Sequence, residues 1–286
     1  MSITIVVVLS AVVAALVVFI LSAVRTHPDP IDTAGEERFF ISRIARHPRM
    51  LRFLRQRLDR RTAGGLVLTM CLLVTFAVAL VVGVVLDMVD NTTGLAALDD
   101  GLARWGAEHA DSTAVGALTA ITHLGDTLVV VTALALAAVT HFARHRVTDV
   151  FAFVTAVIVG EKIIVNGLKA IVIRERPQVL HLVDAVGSSF PSGHSGAAAA
   201  AWPAVALVLS RTASRKTRAL LAALATMIAV AASRALLGVH WLTDVVAGFA
   251  LGYGWFVIVA VIFGGRAQRL GDPLTAHPIG ATSDPR

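Results

Sequence analysis

The chain has 286 residues, of which 56% are hydrophobic and only 15% are charged, with a mean hydropathy of +0.77. These values exclude an ordinary soluble domain and indicate an integral membrane protein, while the single cysteine, Cys71, excludes an internal disulfide and a cysteine metal cluster. The formal net charge of +6 comes mostly from arginines between the apolar runs, which is typical of membrane topology and not of nucleic-acid binding.

The N-terminal part divides into two segments. Residues 1–24 contain an apolar run long enough to cross a bilayer, with no positive residue before it and Arg25 after it. We expect an uncleaved transmembrane helix whose N-terminus lies outside. Residues 25–64 are rich in arginine with interleaved apolar residues, so we expect a cytoplasmic linker of amphipathic helices on anionic headgroups. Binding of a partner is the alternative for this linker.

The remaining chain predicts an all-α, polytopic membrane helix bundle with a six-span core at residues 65–264. A tail at 265–286, expected to be disordered in the cytoplasm, follows it. The predicted core spans are 65–86, 127–142, 150–168, 195–210, 219–237 and 242–263. In this arrangement every positively charged loop falls on one side, and the acidic segment 87–111 falls on the other, outer side.

Two polar groups near or within these spans have more than one interpretation. His123 and Asp126 precede the third span of the chain, where Gly125 is expected to separate a short helix from the span. They are within reach of a site at the outer face, but a polar helix junction among headgroups is the favoured interpretation. Glu161 and Lys162 lie inside a span, facing either a polar interior or neighbouring helices as a structural pair.

A third group of costly residues lies where one apolar run ends and the next begins: Arg234, His240 and Asp244. Asp244 follows His240 by one helical turn, so its carboxylate can accept a hydrogen bond from one imidazole nitrogen. That bond fixes the tautomer and leaves the other nitrogen free as a nucleophile or base. Arg234 adds a planar fork of donors suited to phosphate oxygens.

Three polar clusters are predicted at the same outer face. They are Lys169 with Arg176 and Pro177, the run Pro191-Ser192-Gly193-His194, and Ser233-Arg234 with His240 and Asp244. Together they supply three cations, two histidines, a carboxylate and a serine–glycine turn at a helix start. Unpaired backbone N–H groups at a helix N-terminus bind anions, so this set predicts a site for an anion with several oxygens.

These clusters resemble the three signature motifs of the type 2 phosphatidic acid phosphatase superfamily, without a departure. The match comprises Lys169, six residues and Arg176-Pro177; Pro191-Ser192-Gly193-His194; and Ser233-Arg234, five residues, His240, three residues and Asp244. That superfamily includes membrane lipid phosphatases, glucose-6-phosphatase and soluble vanadium haloperoxidases. The resemblance covers roughly residues 65–264, so the first span and the basic linker acquire no role from it.

The resemblance implies a phosphatase that needs no metal and no cofactor. His240 would attack phosphorus to form a phosphohistidine, Asp244 would orient His240, and His194 would act as general acid and then general base. The remaining residues would hold the phosphoryl oxygens: Lys169, Arg176, Ser192, Gly193 and Arg234. The expected partners are a lipid phosphate and the cell membrane, with the active site on the extracytoplasmic face and no nucleic acid involved.

The sequence leaves several alternatives open. An isoprenoid diphosphate such as undecaprenyl diphosphate is favoured by the outer position, and phosphatidylglycerophosphate and phosphatidic acid are the other candidate substrates. Phosphotransfer from the same phosphohistidine to a lipid or glycan is a second enzymatic function. A non-catalytic lipid binder, transporter or scaffold is a third function, of a different class. The oligomeric state is not indicated.

Overall fold

The computed structural model describes residues 63–109, 111–210 and 213–264. The predicted first span at 1–24, nearly all of the basic linker at 25–64 and the tail at 265–286 lie outside the described residues. Within the described residues all regular structure is helical and no β-strand occurs. The predicted all-α membrane bundle is therefore confirmed.

Eight α-helices and two short 3₁₀ turns make up the described part of the chain. The 3₁₀ turns are Gly94–Leu98 and His123–Gly125. The helices are α1 (Ala63–Asn91), α2 (Asp99–His109), α3 (Ser112–Thr122), α4 (Thr127–His145), α5 (Asp149–Ile171), α6 (Gly193–Leu209), α7 (Ala213–Leu236) and α8 (Leu242–Gly264).

Each of the six predicted core spans corresponds to one long helix. Five of them, α1, α4, α5, α7 and α8, contain 19 to 25 residues of sufficient hydropathy to cross a membrane. The sixth, α6, has 17 residues. At 1.5 Å per residue it is about 25 Å long, slightly less than the ~30 Å hydrocarbon core of a bilayer.

Helix α6 lies at the centre of the bundle, in contact with α4, α5, α7 and α8. Its alanine run, 197–201, is buried throughout. Small side chains allow helices to approach closely in a membrane, where shape rather than hydrophobicity holds them together. The closest approach is to α8, where the Gly196 carbonyl occupies the space that a Cβ on Gly252 would need.

Large apolar side chains cover the outside of the bundle. Leu73, Phe76, Leu136 and Leu221 are each about 60% exposed or more, although they belong to long apolar helices. An apolar outer surface of this extent is unfavourable in water and favourable in lipid. The pattern agrees with helices that face hydrocarbon on one side and each other on the opposite side.

The two ends of the bundle differ in charge. One end collects the starts of α4, α6 and α8 and the ends of α5 and α7; we call it the site end. The opposite end carries basic residues at the end of α4 and the start of α7: Arg144, Arg146, Arg215, Lys216 and Arg218. A contact of 3.2 Å between His141 Nδ1 and the Val208 carbonyl links α4 and α6 near this opposite end.

Glu161 and Lys162 form an ion pair within α5, with 3.4 Å between Glu161 Oε2 and Lys162 Nζ. Glu161 is buried against Gly196 of α6, whereas Lys162 is partly exposed. The ion pair agrees with a structural pair, while the charge of Lys162 also reaches His194, as expected of a residue near a polar interior, so both interpretations stay open.

Candidate active site

His240 and Asp244 lie in the turn between α7 and α8 and in the first turn of α8. The Asp244 side chain reaches back to the start of its helix, where Oδ2 accepts a hydrogen bond from the Trp241 N–H at 2.9 Å. The same oxygen lies 3.5 Å from His240 Nδ1. Both side chains are buried. Asp244 therefore faces Nδ1 of His240 and leaves Nε2 on the other side of the ring.

His240 Nε2 faces a cation. The distance from Nε2 to Arg176 Nη1 is 3.4 Å, and the Arg176 fork is held by the carbonyls of Val239 and Val186. Burial lowers the pKa of His240 to about 4, against the opposing effect of Asp244 and with the help of Arg234 and Arg176. The imidazole is therefore neutral near pH 7, and the carboxylate that faces Nδ1 favours the tautomer with its proton on Nδ1 and its lone pair on Nε2.

The start of α6 packs directly against the start of α8. The Ser192 N–H donates to the Asp244 carbonyl at 3.0 Å, and the Ser192 carbonyl occupies the space that a Cβ on Gly248 would need. The glycine at position 248 is required by this close approach. This contact places Ser192, Gly193 and His194 beside the His240–Asp244 pair.

The first turn of α6 has free donors. Ser192 is the N-cap residue but its hydroxyl makes no capping bond; its Oγ instead accepts from Ser195 Oγ at 2.9 Å. The backbone N–H groups at a helix start have no partner within the helix, and they carry the positive end of its dipole. The start of α6, at Gly193, is thus suited to bind an anion.

Three cations lie near one another, because the charges of Lys169, Arg176 and Arg234 act on each other. Lys169, near the end of α5, donates to the Ser188 carbonyl at 2.6 Å. Arg234, near the end of α7, donates from Nη1 to Thr122 Oγ1 at 3.2 Å. The buried Nε atoms of Arg176 and Arg234 have no hydrogen-bond partner among the residues that the structure describes. An unsatisfied buried donor costs about 1–3 kcal/mol, so an anion that accepts from these groups is favoured.

The structure thus brings together all eight residues that the sequence predicted for the site. Direct contacts join the segments: Arg176 approaches His240, the Ser192 N–H binds the Asp244 carbonyl, and the His240 N–H binds the Arg234 carbonyl. Among the described residues, no group of three or more His, Cys, Asp or Glu side chains is arranged to hold a metal.

The sequence favoured a polar headgroup junction for Asp126 and left contact with the site as the alternative. Its Oδ1 lies 2.7 Å from His194 Nε2, and its Oδ2 lies 2.6 Å from His123 Nδ1. Asp126 therefore contacts a predicted site residue, as the alternative interpretation allowed. The available signal was the short polar run at the start of α4, level with the start of α6.

Sequence reasoning also missed a buried network behind Asp244. Arg174 donates from Nη1 to Asp244 Oδ1 at 2.6 Å and from Nη2 to Asp99 Oδ2 at 2.9 Å. Asp99, at the start of α2, also accepts from the Thr243 N–H at 3.0 Å and the Thr243 hydroxyl at 2.6 Å. The only sequence signal was an arginine two residues before Arg176, which alone is compatible with a headgroup anchor.

Comparison with known proteins agrees with this geometry. The model of the PAP2 superfamily matches residues 149–268, a range that contains all three motifs. Phosphatidylglycerophosphatase B of Bacillus subtilis (strain 168) is 32% identical over 147 residues, which are 50% of this chain and 71% of that protein.

A solved structure is also similar. The crystal structure of the first transmembrane PAP2 type phosphatidylglycerolphosphate phosphatase from Bacillus subtilis superposes with a TM-score of 0.60 at 26% identity. The match covers 64% of this chain and 92% of that one. Fold, motifs and relatives thus agree, and this chain belongs to the PAP2 superfamily as a membrane lipid phosphatase.

Proposed function

We propose that this protein hydrolyses phosphatidylglycerophosphate at the extracytoplasmic face of the cell membrane through a phosphohistidine on His240. The observation that carries the proposed mechanism is the position of His240. Its Nδ1 faces Asp244, and its Nε2 lies 3.4 Å from Nη1 of Arg176, an arginine whose Nε, like that of Arg234, has no acceptor in the described part of the chain. A neutral imidazole in this position is a nucleophile for a phosphoryl group held by the surrounding cations.

In the first step, His240 Nε2 attacks phosphorus, the P–N bond forms and the bond from phosphorus to the ester oxygen breaks. His194 gives its proton to that leaving oxygen. Asp244 stabilises the positive charge that develops on the His240 ring. The equatorial oxygens are held by Lys169, Arg176, Arg234, Ser192 and the Gly193 N–H, which supply charge and donors where the transition state needs them.

In the second step, water attacks phosphorus and the P–N bond breaks. His194, now neutral, takes a proton from that water and is restored as the acid, while His240 leaves as a neutral imidazole. Splitting the hydrolysis into two displacements lets the same anion-binding donors serve both transition states. The products are inorganic phosphate and the dephosphorylated lipid.

The proposal of phosphatidylglycerophosphate rests on the relatives, both of which are named for that activity. The sequence alone favoured an isoprenoid diphosphate, and the motifs are compatible with either lipid. The two substrates differ in the leaving group: a glycerol oxygen in the first, a phosphate in the second. A phosphate is the better leaving group, so hydrolysis of the diphosphate depends less on protonation by His194.

The proposed side of the membrane rests on charge. At the end opposite the site, the end of α4 and the start of α7 carry five basic residues, and Asp149 is the one acidic residue described there, whereas carboxylates such as Asp99, Asp126 and Asp244 offset the cations of the site end. Positive loops favour the cytoplasmic side, which leaves the site end outside.

The test is phosphate release by the purified protein, with chelator present, from phosphatidylglycerophosphate, phosphatidic acid and undecaprenyl diphosphate. We expect the highest kcat/KM on phosphatidylglycerophosphate and no release on any lipid by His240→Ala. His145→Ala, at the exposed end of α4 away from the site, is the matched control and should keep full activity. Unchanged release by His240→Ala would rule out the proposed nucleophile, and preference for the diphosphate would overturn the substrate.

The same assay tests the other two functions. Transfer of labelled phosphate to an acceptor lipid with little release of free phosphate would indicate a phosphotransferase. Binding of lipid phosphates by the folded wild-type protein without turnover of any of them would indicate a non-catalytic binder.

A further inference from the structure

We propose that Asp126 is a positioning residue for His194, so that the site contains two histidine–carboxylate pairs, one for each chemical role. This inference rests on the proposed function, because it assigns His194 as the general acid and base. Asp126 lies outside the three sequence motifs, between the 3₁₀ turn His123–Gly125 and α4.

The first observation is the contact itself. Asp126 Oδ1 lies 2.7 Å from His194 Nε2. It is the one hydrogen bond that the His194 ring makes to another described residue. Burial acts to raise the pKa of Asp126, but the hydrogen bonds and charges of His123 and His194 hold it below its usual value. Asp126 is therefore an ionised acceptor facing Nε2.

The second observation is that the segment before α4, residues 122–126, packs tightly against α6. The His194 carbonyl lies 2.9 Å and the His194 Cβ 3.1 Å from where a Cβ on Gly125 would be, so the residue before Asp126 packs directly on His194. The Trp202 indole N–H donates to the Leu124 carbonyl at 3.0 Å, two turns further along α6. The position of Asp126 relative to His194 is thus set by backbone packing.

The third observation is that the same segment, 122–126, contacts Arg234, an arginine of the proposed phosphate site. Thr122 accepts a hydrogen bond from Arg234 at 3.2 Å, and the charge of Arg234 also acts on His194. The charge of Lys162 of α5 acts on His194 in the same direction. These two cations oppose protonation of the imidazole, and Asp126 is the group that favours its protonated form.

This arrangement assigns the two ring nitrogens. With the Nε2 proton donated to Asp126, the proton that moves in catalysis is carried by Nδ1. In the first step Nδ1–H gives its proton to the leaving oxygen as the P–O bond breaks. In the second step Nδ1 takes a proton from the attacking water as the P–N bond breaks, while the Nε2–H bond to Asp126 persists throughout.

The experiment compares Asp126→Asn with Asp100→Asn, a matched change at an exposed residue whose contact is Arg104. We expect Asp126→Asn to lower kcat about tenfold to a hundredfold, a part of the ~10²–10⁴ that general acid–base catalysis supplies, with little change in KM. The alkaline limb of kcat should also move to lower pH, because an imidazolium that has lost its carboxylate releases its proton more easily.

A double-mutant cycle separates positioning from a structural role. In the His194→Ala background, Asp126→Asn should change the residual rate by less than about twofold, because the group through which it acts is absent. A purely structural effect would lower the rate by the same factor in both backgrounds and would overturn the inference, as would wild-type kcat in Asp126→Asn. If the wild-type protein released no phosphate from any lipid, the proposed function itself would fail, which is a distinguishable outcome.

Discussion

Arg174 and Asp244 form a partly buried ion pair, with 2.6 Å between Arg174 Nη1 and Asp244 Oδ1. The other nitrogen of the fork, Nη2, lies 2.9 Å from Asp99 Oδ2, so one guanidinium joins two carboxylates on different helices. The Asp244 oxygen that faces His240 is the one that Arg174 leaves free. Arg174 and Asp99 thus hold the carboxylate that orients the proposed nucleophile.

The first prediction concerns Asp99. Asp99→Asn removes the charge that faces Arg174 and weakens two bonds from Thr243, so Asp244 should become less well oriented. We expect kcat to fall about tenfold, which corresponds to about 1.4 kcal/mol in the barrier. We also expect the free energy of unfolding in detergent to fall by about 1–3 kcal/mol. Asp100→Asn, one residue along and exposed, is the control; equal kcat in the two variants would refute the role of the network.

The second prediction concerns pH. Because burial lowers the pKa of His240 to about 4, the imidazole keeps its lone pair well below the unperturbed value of about 6.5. We expect kcat/KM to fall as the pH decreases through about 4, where His240 becomes protonated. The ionisation of the lipid phosphate should be titrated separately by phosphorus NMR so that the two limbs are distinguished. An acid limb of the enzyme at pH 6–7 would contradict the assignment to His240.

The third prediction concerns the contact between α6 and α8. Gly248→Ala places a methyl group where the Ser192 carbonyl lies, and should push the start of α6 away from His240. We expect a loss of about 1–3 kcal/mol in stability from overpacking, and phosphate release at a small fraction of the wild-type rate. Gly116→Ala, in open space on α3, is the matched control and should be active and at least as stable. Normal activity in Gly248→Ala would show that this contact does not position the site.

The fourth prediction concerns topology. With Cys71 replaced, single cysteines at Gly187 and Arg215 should react with a membrane-impermeant reagent from opposite sides in intact cells, with Gly187 labelled from outside. The two residues are exposed and lie at opposite ends of the helical bundle. Labelling of both from the same side would refute the alternation of spans, and labelling of Arg215 alone from outside would invert the proposed orientation.

Much of this fold could be predicted because hydropathy reports membrane spans directly. The span predicted at 127–142 is the helix Thr127–His145, and the span predicted at 195–210 is Gly193–Leu209. Six of the eight motif residues were also recognisable because ionisable side chains at the ends of apolar runs are costly and rarely lack a role. Ser192 and Gly193 were recognised through the resemblance of the motif that contains them. The sequence therefore predicted helix ends well where an apolar run meets charged residues.

The residues that support the motifs could not be predicted in the same way. Asp126 and His194 are 68 positions apart, and Asp99 and Thr243 are 144 positions apart. Each is a single polar residue at a helix end, where polar residues are common. Their partners are chosen by the packing of α2 and α4 against α8 and α6, which hydropathy does not specify.

The most direct test of the account is to trap the proposed phosphoenzyme. The purified protein is mixed with lipid phosphate labelled in its terminal phosphoryl group, quenched in alkali and mapped by mass spectrometry. We predict a phosphoryl group on His240 that is labile to acid and stable to alkali, and that is absent in His240→Ala. In His194→Ala it should accumulate from a lipid diphosphate, whose leaving phosphate needs little protonation, because the base for the second step is missing. Phosphate release by the wild-type protein without any detectable phosphohistidine would contradict the central claim. A phosphoryl group on a residue other than His240 would also contradict it.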